Sequence, residues 1–248
     1  MMKRWRKVWA LVPSSVLVCA GCSHLPGKPT PDMVPVDPSA VEDFTYLYRQ
    51  NCAGCHGLDG TGGPATPLGN PVYLAIADDS VIRKVTSEGV SGTTMPAFLE
   101  ANGGMLTQKQ IEVLVRGIRE HWEKPGILAG ANPPQYSAPE SAVGDVTRGR
   151  AVYATFCASC HGPGGKGGQK GSSITDGSYL ALVSDQALRT IVIAGRPDLG
   201  APDWRNNLPG RPMSAEEVSD VVAWLASQRV KYPGQPYALR SLSERGNP

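Results

Sequence analysis

The sequence predicts an all-α fold made of two tandem copies of one small helical unit. Three observations carry this. Apolar residues recur at helical spacing in stretches from both halves of the chain. Those stretches match in pairs at a steady offset of roughly a hundred residues, the mark of a duplicated unit. Each copy also holds one five-residue pattern, Cys52-Ala53-Gly54-Cys55-His56 and Cys157-Ala158-Ser159-Cys160-His161.

The N-terminus comes first. Lys3, Arg4, Arg6 and Lys7 precede an apolar run from Val8 to Val18, broken by Pro13, Ser14 and Ser15. Ala20 and Gly21 then supply small residues ahead of Cys22. This reads as a secretory signal over residues 1–21, and the run is shorter than the ~20 residues that a membrane span needs. It resembles a bacterial lipoprotein signal, which implies Cys22 as the acylated first mature residue; Cys19 departs from the Leu usual at its position. Residues 22–40 carry Pro26, Pro29, Pro31, Pro35 and Pro38. A polyproline-like tether whose residues 23–38 are extended, at ~3.1 Å per residue, reaches roughly 50 Å. His24 in this stretch reads as solvent-exposed rather than as a ligand.

The first unit is expected over residues 41–125. Phe44, Leu47 and Tyr48 have helical spacing and lead into Cys52. A glycine-rich stretch, Gly57 to Gly69, follows. Tyr73 to Ile76 and a helix near Asp79–Glu88 come next, with Gly89 as the stop. A Met95-Pro96 loop precedes a last helix that Thr107 and Gln110 open as a capping box. Ile111, Leu114, Val115 and Ile118 are its apolar stripe. Residues 126–143, with Pro133, Pro134 and Pro139, read as a linker.

The second unit, 144–232, repeats this order. Tyr153 precedes Cys157 as Tyr48 precedes Cys52. Tyr179 to Leu182, then Leu188, Ile191 and Gly195, match their counterparts. Ser214 and Glu217 repeat the capping box, and Val218, Val221, Val222 and Leu225 repeat the stripe. Residues 233–248 read as a Pro/Gly-rich tail. The 29 Gly and 22 Pro against three Phe point to small cores and many turns.

Cys-x-x-Cys-His is the pattern of covalent haem attachment. Two thiols at this spacing can form thioethers to the two vinyl groups of one haem, and the histidine then stands beneath the iron. Cys52, Cys55, Cys157 and Cys160 are the expected attachment points and His56 and His161 the expected iron ligands, for two covalently bound haem c. A thioredoxin-like redox pair would need a strand–helix–strand setting and no histidine. A four-cysteine zinc site would leave both histidines unexplained. The glycine run after His161 lacks the Lys-Ser/Thr ending of a phosphate loop.

Without the signal the chain is slightly acidic. Residues 22–143 hold an excess of Asp and Glu, and residues 144–248 an excess of Lys and Arg. The balance does not suggest nucleic acid. It permits docking of the two halves to each other or to different redox partners, or no more than a solvated surface.

Each repeat resembles a class I cytochrome c domain, and the resemblance covers residues 41–232. It implies a second axial ligand from a Met on the loop before the last helix, which falls on Met95; Met105 is the in-domain competitor. His/Met ligation favours Fe(II) and raises the potential. The second repeat departs from the pattern. Aligning Gly195 with Gly89 and Pro202 with Pro96 puts Ala201 where Met95 stands. Met213 is the alternative ligand, but it aligns with Leu106, just before the cap, where it would pack on Val218 as a hydrophobic staple. His121 and an open iron remain further options.

The stretch from Gly195 to Trp204, with Pro212 to Trp224, is similar to cytochrome c subunits associated with bacterial alternative complex III. The resemblance implies an electron carrier rather than an enzyme, exported and membrane-anchored on the periplasmic side. It would relay single electrons between respiratory partners: a quinol-oxidising complex, a terminal oxidase or a soluble carrier. The alternative is a dihaem peroxidase-like enzyme or a small-gas-binding protein using an open iron in the second repeat.

Overall fold

The computed structural model describes residues 35–140 and 142–230. The expected signal, Cys22, most of the tether and the tail 233–248 lie outside the described residues. From Pro38 on, the described residues form one compact unit. They are helices joined by loops, and no helix among them is long and apolar enough to cross a membrane.

In the first repeat α1 (Phe44–Asn51) runs into the one-turn α2 (Ala53–His56). Then come α3 (Pro71–Ile76), α4 (Asp79–Glu88) and α5 (Gln108–Trp122). The second repeat gives α6 (Val146–Phe156), the one-turn α7 (Ala158–His161), α8 (Gly177–Leu182), α9 (Asp185–Ala194) and α10 (Ala215–Ser227). The sequence accounts for their ends. Asp43, Asp78, Asp145 and Ser184 cap α1, α4, α6 and α9 through side-chain oxygens. Thr107–Gln110 and Ser214–Glu217 each form a reciprocal capping box.

The first and last helices of each repeat cross, α1 on α5 and α6 on α10, while α4 packs on α5 and α9 on α10. The expected stripes supply the cores: Ile111, Leu114, Val115 and Ile118 in one, and Val218, Val221, Val222 and Leu225 in the other, all buried. Burying such side chains contributes about 1.5–3 kcal/mol each.

The repeats are joined by more than the chain between them. Helix α3 packs against α9. Asn70, 2% exposed, sits at their junction. Its Oδ1 accepts the N–H groups of Val72 and Tyr73 and so caps α3. Its Nδ2 donates to the carbonyls of Ala194 and Gly195 in the second repeat, at 2.9 and 3.3 Å. The segment read as a linker is also held down. Ile127, Leu128 and Tyr136 pack on the core. Arg189, buried in α9, donates to the carbonyls of Gln135 and Tyr136, and Gln186 also donates to Tyr136. Polar backbone in a short proline-rich connection needs partners, and α9 supplies them.

Candidate haem sites

Cys52 is both the last cap of α1 and the first cap of α2. The chain turns there, and the N–H groups of Cys55 and His56 close back on the Cys52 carbonyl at 3.1 and 3.0 Å. One helical turn thus carries both thiols and the imidazole. Gly57 ends it at φ +83°, and a Cβ there would lie 1.6 Å from the Thr61 carbonyl oxygen. Only glycine tolerates that turn. The Tyr48 hydroxyl donates to the Gly57 carbonyl at 2.8 Å and ties the turn to α1.

His56 is 8% exposed. Its Nδ1 lies 2.7 Å from the Thr66 carbonyl oxygen. A carbonyl only accepts, so Nδ1 carries the proton and Nε2 carries the lone pair. Burial lowers the pKa of His56, and the bond to Thr66 only partly offsets this, so the ring is neutral. Nε2 is buried with no hydrogen-bond partner. A buried, neutral, oriented imidazole with a free lone pair is the form that ligates a metal. The donor set of this turn therefore fits a haem c.

The second turn repeats the geometry. The N–H groups of Cys160 and His161 close on the Cys157 carbonyl at 3.2 and 3.0 Å. Tyr153 donates to the Gly162 carbonyl, and His161 Nδ1 lies 2.8 Å from the Ser172 carbonyl oxygen. His161 is half-buried, so this site is more open. The four cysteines are free thiols. Burial, then the neighbouring cysteine, pushes the Cys52 and Cys157 thiols up to about 12. That is the reverse of the depressed pKa a thioredoxin-like pair uses. Among the described residues no three His, Cys, Asp or Glu side chains group together as metal-ion ligands.

The loops before the last helices share a hydrogen-bond pattern, with the acceptor for Phe98 three residues before Gly89 and that for Trp204 two residues before Gly195. In the first repeat Val90 N–H donates to the Met95 carbonyl (3.0 Å), Phe98 to Thr86 (3.1 Å) and Leu106 to Phe98 (2.8 Å). In the second, Arg196 donates to Ala201 (2.9 Å), Trp204 to Ile193 (3.0 Å) and Met213 to Trp204 (2.9 Å). Ala201 therefore takes the place of Met95, and Met213 takes that of Leu106. Met213 is buried, and its sulfur lies 3.8 Å from the Asn207 amide nitrogen. This gives the packing role of Met213 geometric support. Met105 is 84% exposed, at the surface. His121 stacks on Phe44 with ring centroids 4.4 Å apart, and its Nδ1 lies 2.8 Å from the Gly117 carbonyl oxygen.

A family model described as cytochrome c oxidase, cbb3-type, subunit III matches residues 39–116 and again residues 144–225. The chain belongs to this family. It is a cytochrome c, an electron-transfer protein of repeated class I type, and membership implies covalently attached haem. This cytochrome c is similar to the cytochrome bc1 complex cytochrome c subunit of Mycobacterium bovis, 24% identical over 214 residues that cover 83% of this chain and 71% of that one. It is also similar to the cbb3-type cytochrome c oxidase subunit FixP of Sinorhizobium medicae, 28% identical over 162 residues, 60% of this chain and 49% of that one. Among solved structures it matches a chain of the Kuenenia stuttgartiensis reducing HAO-like protein complex at 18% identity and a TM-score of 0.42, over 79% of this chain and 100% of that one.

Several residues that build the sites carry no motif. Thr66 and Ser172 act through backbone carbonyls, which leave no side-chain signature. Arg196 and Asp198 join the two sites. Arg196 donates to Asp198 and, at 2.8 Å, to the Gly63 carbonyl, while Asp198 accepts the Gly62 N–H at 2.9 Å. The loop that carries Ala201 thereby rests on the glycine turn beside His56.

Proposed function

We propose that this cytochrome c is an exported, membrane-tethered dihaem relay. It would carry single electrons between a quinol-oxidising respiratory complex and a terminal oxidase or soluble carrier, as a subunit of such a complex. The observation that carries the reading is the lone pair of His56 Nε2, buried and unpartnered one turn from two free thiols, in a motif that occurs twice. The names of its relatives, subunits of a bc1 complex and of a cbb3-type oxidase, support a respiratory setting.

Cys52 and Cys55 would hold one haem and Cys157 and Cys160 the other, with His56 and His161 as the ligands below the iron and Met95 completing the first site. When bound, haem c supplies a one-electron Fe(III)/Fe(II) couple. The chain's residues tune and hold it. Thr66 and Ser172 fix the imidazole tautomers from behind. Gly57 and Gly162 let the backbone turn tightly beside the ring. The bonds of Arg196, Asp198 and Asn70 between the repeats keep the two sites at one separation, so that electrons pass between fixed centres. Cys22, acylated after removal of residues 1–21, would keep the protein on the periplasmic face.

The test is haem content and redox titration of the full chain matured in a host that attaches haem c. Two covalently bound haems per chain and two one-electron steps are expected, with one haem lost in Cys157→Ala/Cys160→Ala. Fewer than two haems in the native chain would sink the dihaem reading. Cys22→Ser is expected to release the protein from the membrane fraction into the soluble periplasm.

A further inference from the structure

The loops before α5 and α10 close with an equivalent backbone hydrogen bond, and Ala201 ends one where Met95 ends the other. The Val90-to-Met95 and Arg196-to-Ala201 hydrogen bonds, 3.0 and 2.9 Å, hold the same turn in both. Gly89 and Gly195 introduce it at φ +69° and +70°. A Cβ on Gly89 would meet Met95 O at 2.7 Å, and one on Gly195 would meet Ala201 O at 2.8 Å. The second loop therefore places Ala201 at the same point of the turn as Met95, although replacing Met with Ala removes three side-chain heavy atoms. A side chain shortened without movement of its backbone leaves its neighbours unable to close in fully.

The loop's other donors are already engaged. Arg196 pairs with Asp198, and Asp203 pairs with Arg205, each at 2.7 Å. The Met213 sulfur faces the Asn207 amide at 3.8 Å, in the position of the non-ligating Leu106. His161 is also the more exposed of the two imidazoles.

We infer that the second site is a small-ligand site: with haem c held there by His161, its sixth position takes a neutral diatomic gas, carbon monoxide or nitric oxide, where the first site takes Met95. The inference rests on the dihaem reading above. The neutral class follows from the surroundings. Both carboxylates of the loop are paired with arginines, and an alanine methyl offers neither hydrogen bond nor charge to an anion. Axial-ligand identity and access decide whether a haem site binds gas or only passes electrons.

The experiment uses the full haem-loaded chain, reduced with dithionite and titrated with carbon monoxide. Haem content is measured first, so that fewer than two haems counts against the dihaem reading and not against this one. With two haems present, the expected stoichiometry is one carbon monoxide per chain. The sulfur-to-iron charge-transfer band of the oxidised protein should report one Met-ligated haem. Ala201→Met should abolish carbon monoxide binding and double that band. Met213→Leu should bind one carbon monoxide, as the native protein does. No binding by the native protein, or two carbon monoxides per chain, would overturn the inference. So would an Ala201→Met protein that binds as before, or binding that appears only once Met213 is replaced. Should Ala201→Met fail to mature, the native stoichiometry and Met213→Leu still decide.

Discussion

Gly117 lies against Phe44 where α5 crosses α1; a Cβ on Gly117 would stand 2.1 Å from the Phe44 ring. The second repeat makes the same crossing with the partners exchanged. Gly149, in the helix equivalent to that of Phe44, lies against Trp224, in the helix equivalent to that of Gly117. A Cβ on Gly149 would be 2.0 Å from the Asp220 carbonyl oxygen and 2.8 Å from Trp224 Cβ. One aromatic residue and one glycine meet at each crossing, and the helices that supply them are exchanged.

The exchange predicts unequal costs for one substitution. Gly→Ala in a helix gains about 1 kcal/mol in propensity, while forcing extra atoms into a packed crossing costs about 1–3 kcal/mol. At Gly117 the obstacle is a half-buried side chain, which has more freedom to shift than backbone. At Gly149 it is the backbone of the facing helix. Gly149→Ala is expected to destabilise by roughly 2 kcal/mol, and Gly117→Ala by clearly less. Denaturant unfolding of the haem-loaded protein checks the order; an equal or inverted pair of midpoints would refute it.

The crossing also marks where sequence reading stopped. Each helix could be placed because its signals are local: the span Asp79–Glu88, both capping boxes and Gly89 and Gly195 as stops all depend on neighbours within one turn. The alignment of Ala201 with Met95 was legible for the same reason, since the flanking Gly and Pro fix the loop. Gly117 and Gly149 gave no such signal, because their partners lie on another helix. Residues 126–143 read as a linker from their prolines; that the carbonyls of Gln135 and Tyr136 satisfy Arg189, far along the chain, has no local signal.

Asn70 shows how burial chooses between similar caps. The equivalent cap of α8 is Asp176, which is exposed. Both side chains accept two N–H groups, but Asn70 must also donate to two carbonyls across the repeats. A carboxylate cannot donate, and burying one against carbonyls is costly. Asn70→Asp, roughly neutral at an exposed cap, is expected to be more destabilising here than Asn70→Ser. Asn70→Ser keeps the cap and loses the bridge, at about 1–3 kcal/mol. Thermal unfolding of the two variants tests the ranking, and a more stable Asn70→Asp would count against the bridge.

Asp198 makes the junction pH-sensitive. Its hydrogen bonds from Arg196, and then the Gly62 N–H, hold its carboxyl below the ordinary value against the opposing effect of burial. A depressed folded pKa means that its stabilisation is fully present above the ordinary Asp value of about 3.9 and is lost as pH falls through the lower folded value. Asp198→Asn should therefore flatten the acid limb of the stability profile. Removing Arg196 alone leaves Asp198 with only the Gly62 N–H, at a cost of about 1–3 kcal/mol near neutral pH. Arg196→Met/Asp198→Leu should cost less than the two single changes together. Strict additivity in that cycle would mean that the pair does not couple.

Gly89 sits against the backbone of the loop that carries Met95, the ligand proposed for the first haem. At φ +69°, ψ −167° it occupies a region essentially closed to side chains. A Cβ there would also lie 2.6 Å from Ala97 N and Pro96 C, the backbone that follows Met95. Gly89→Ala must push this loop aside, at roughly 1–3 kcal/mol of strain. Gly92 shares a positive φ of +74°, but its Cβ would meet nothing within 4 Å. Gly92→Ala therefore carries strain without displacement. If Met95 is the ligand proposed for the first haem, Gly89→Ala is expected to weaken or abolish the sulfur-to-iron charge-transfer band and lower the first reduction potential, because losing that ligand would remove the preference for Fe(II). Gly92→Ala should keep both. If the two variants have the same spectrum and potential, contact between Gly89 and the loop is not what holds Met95 in place.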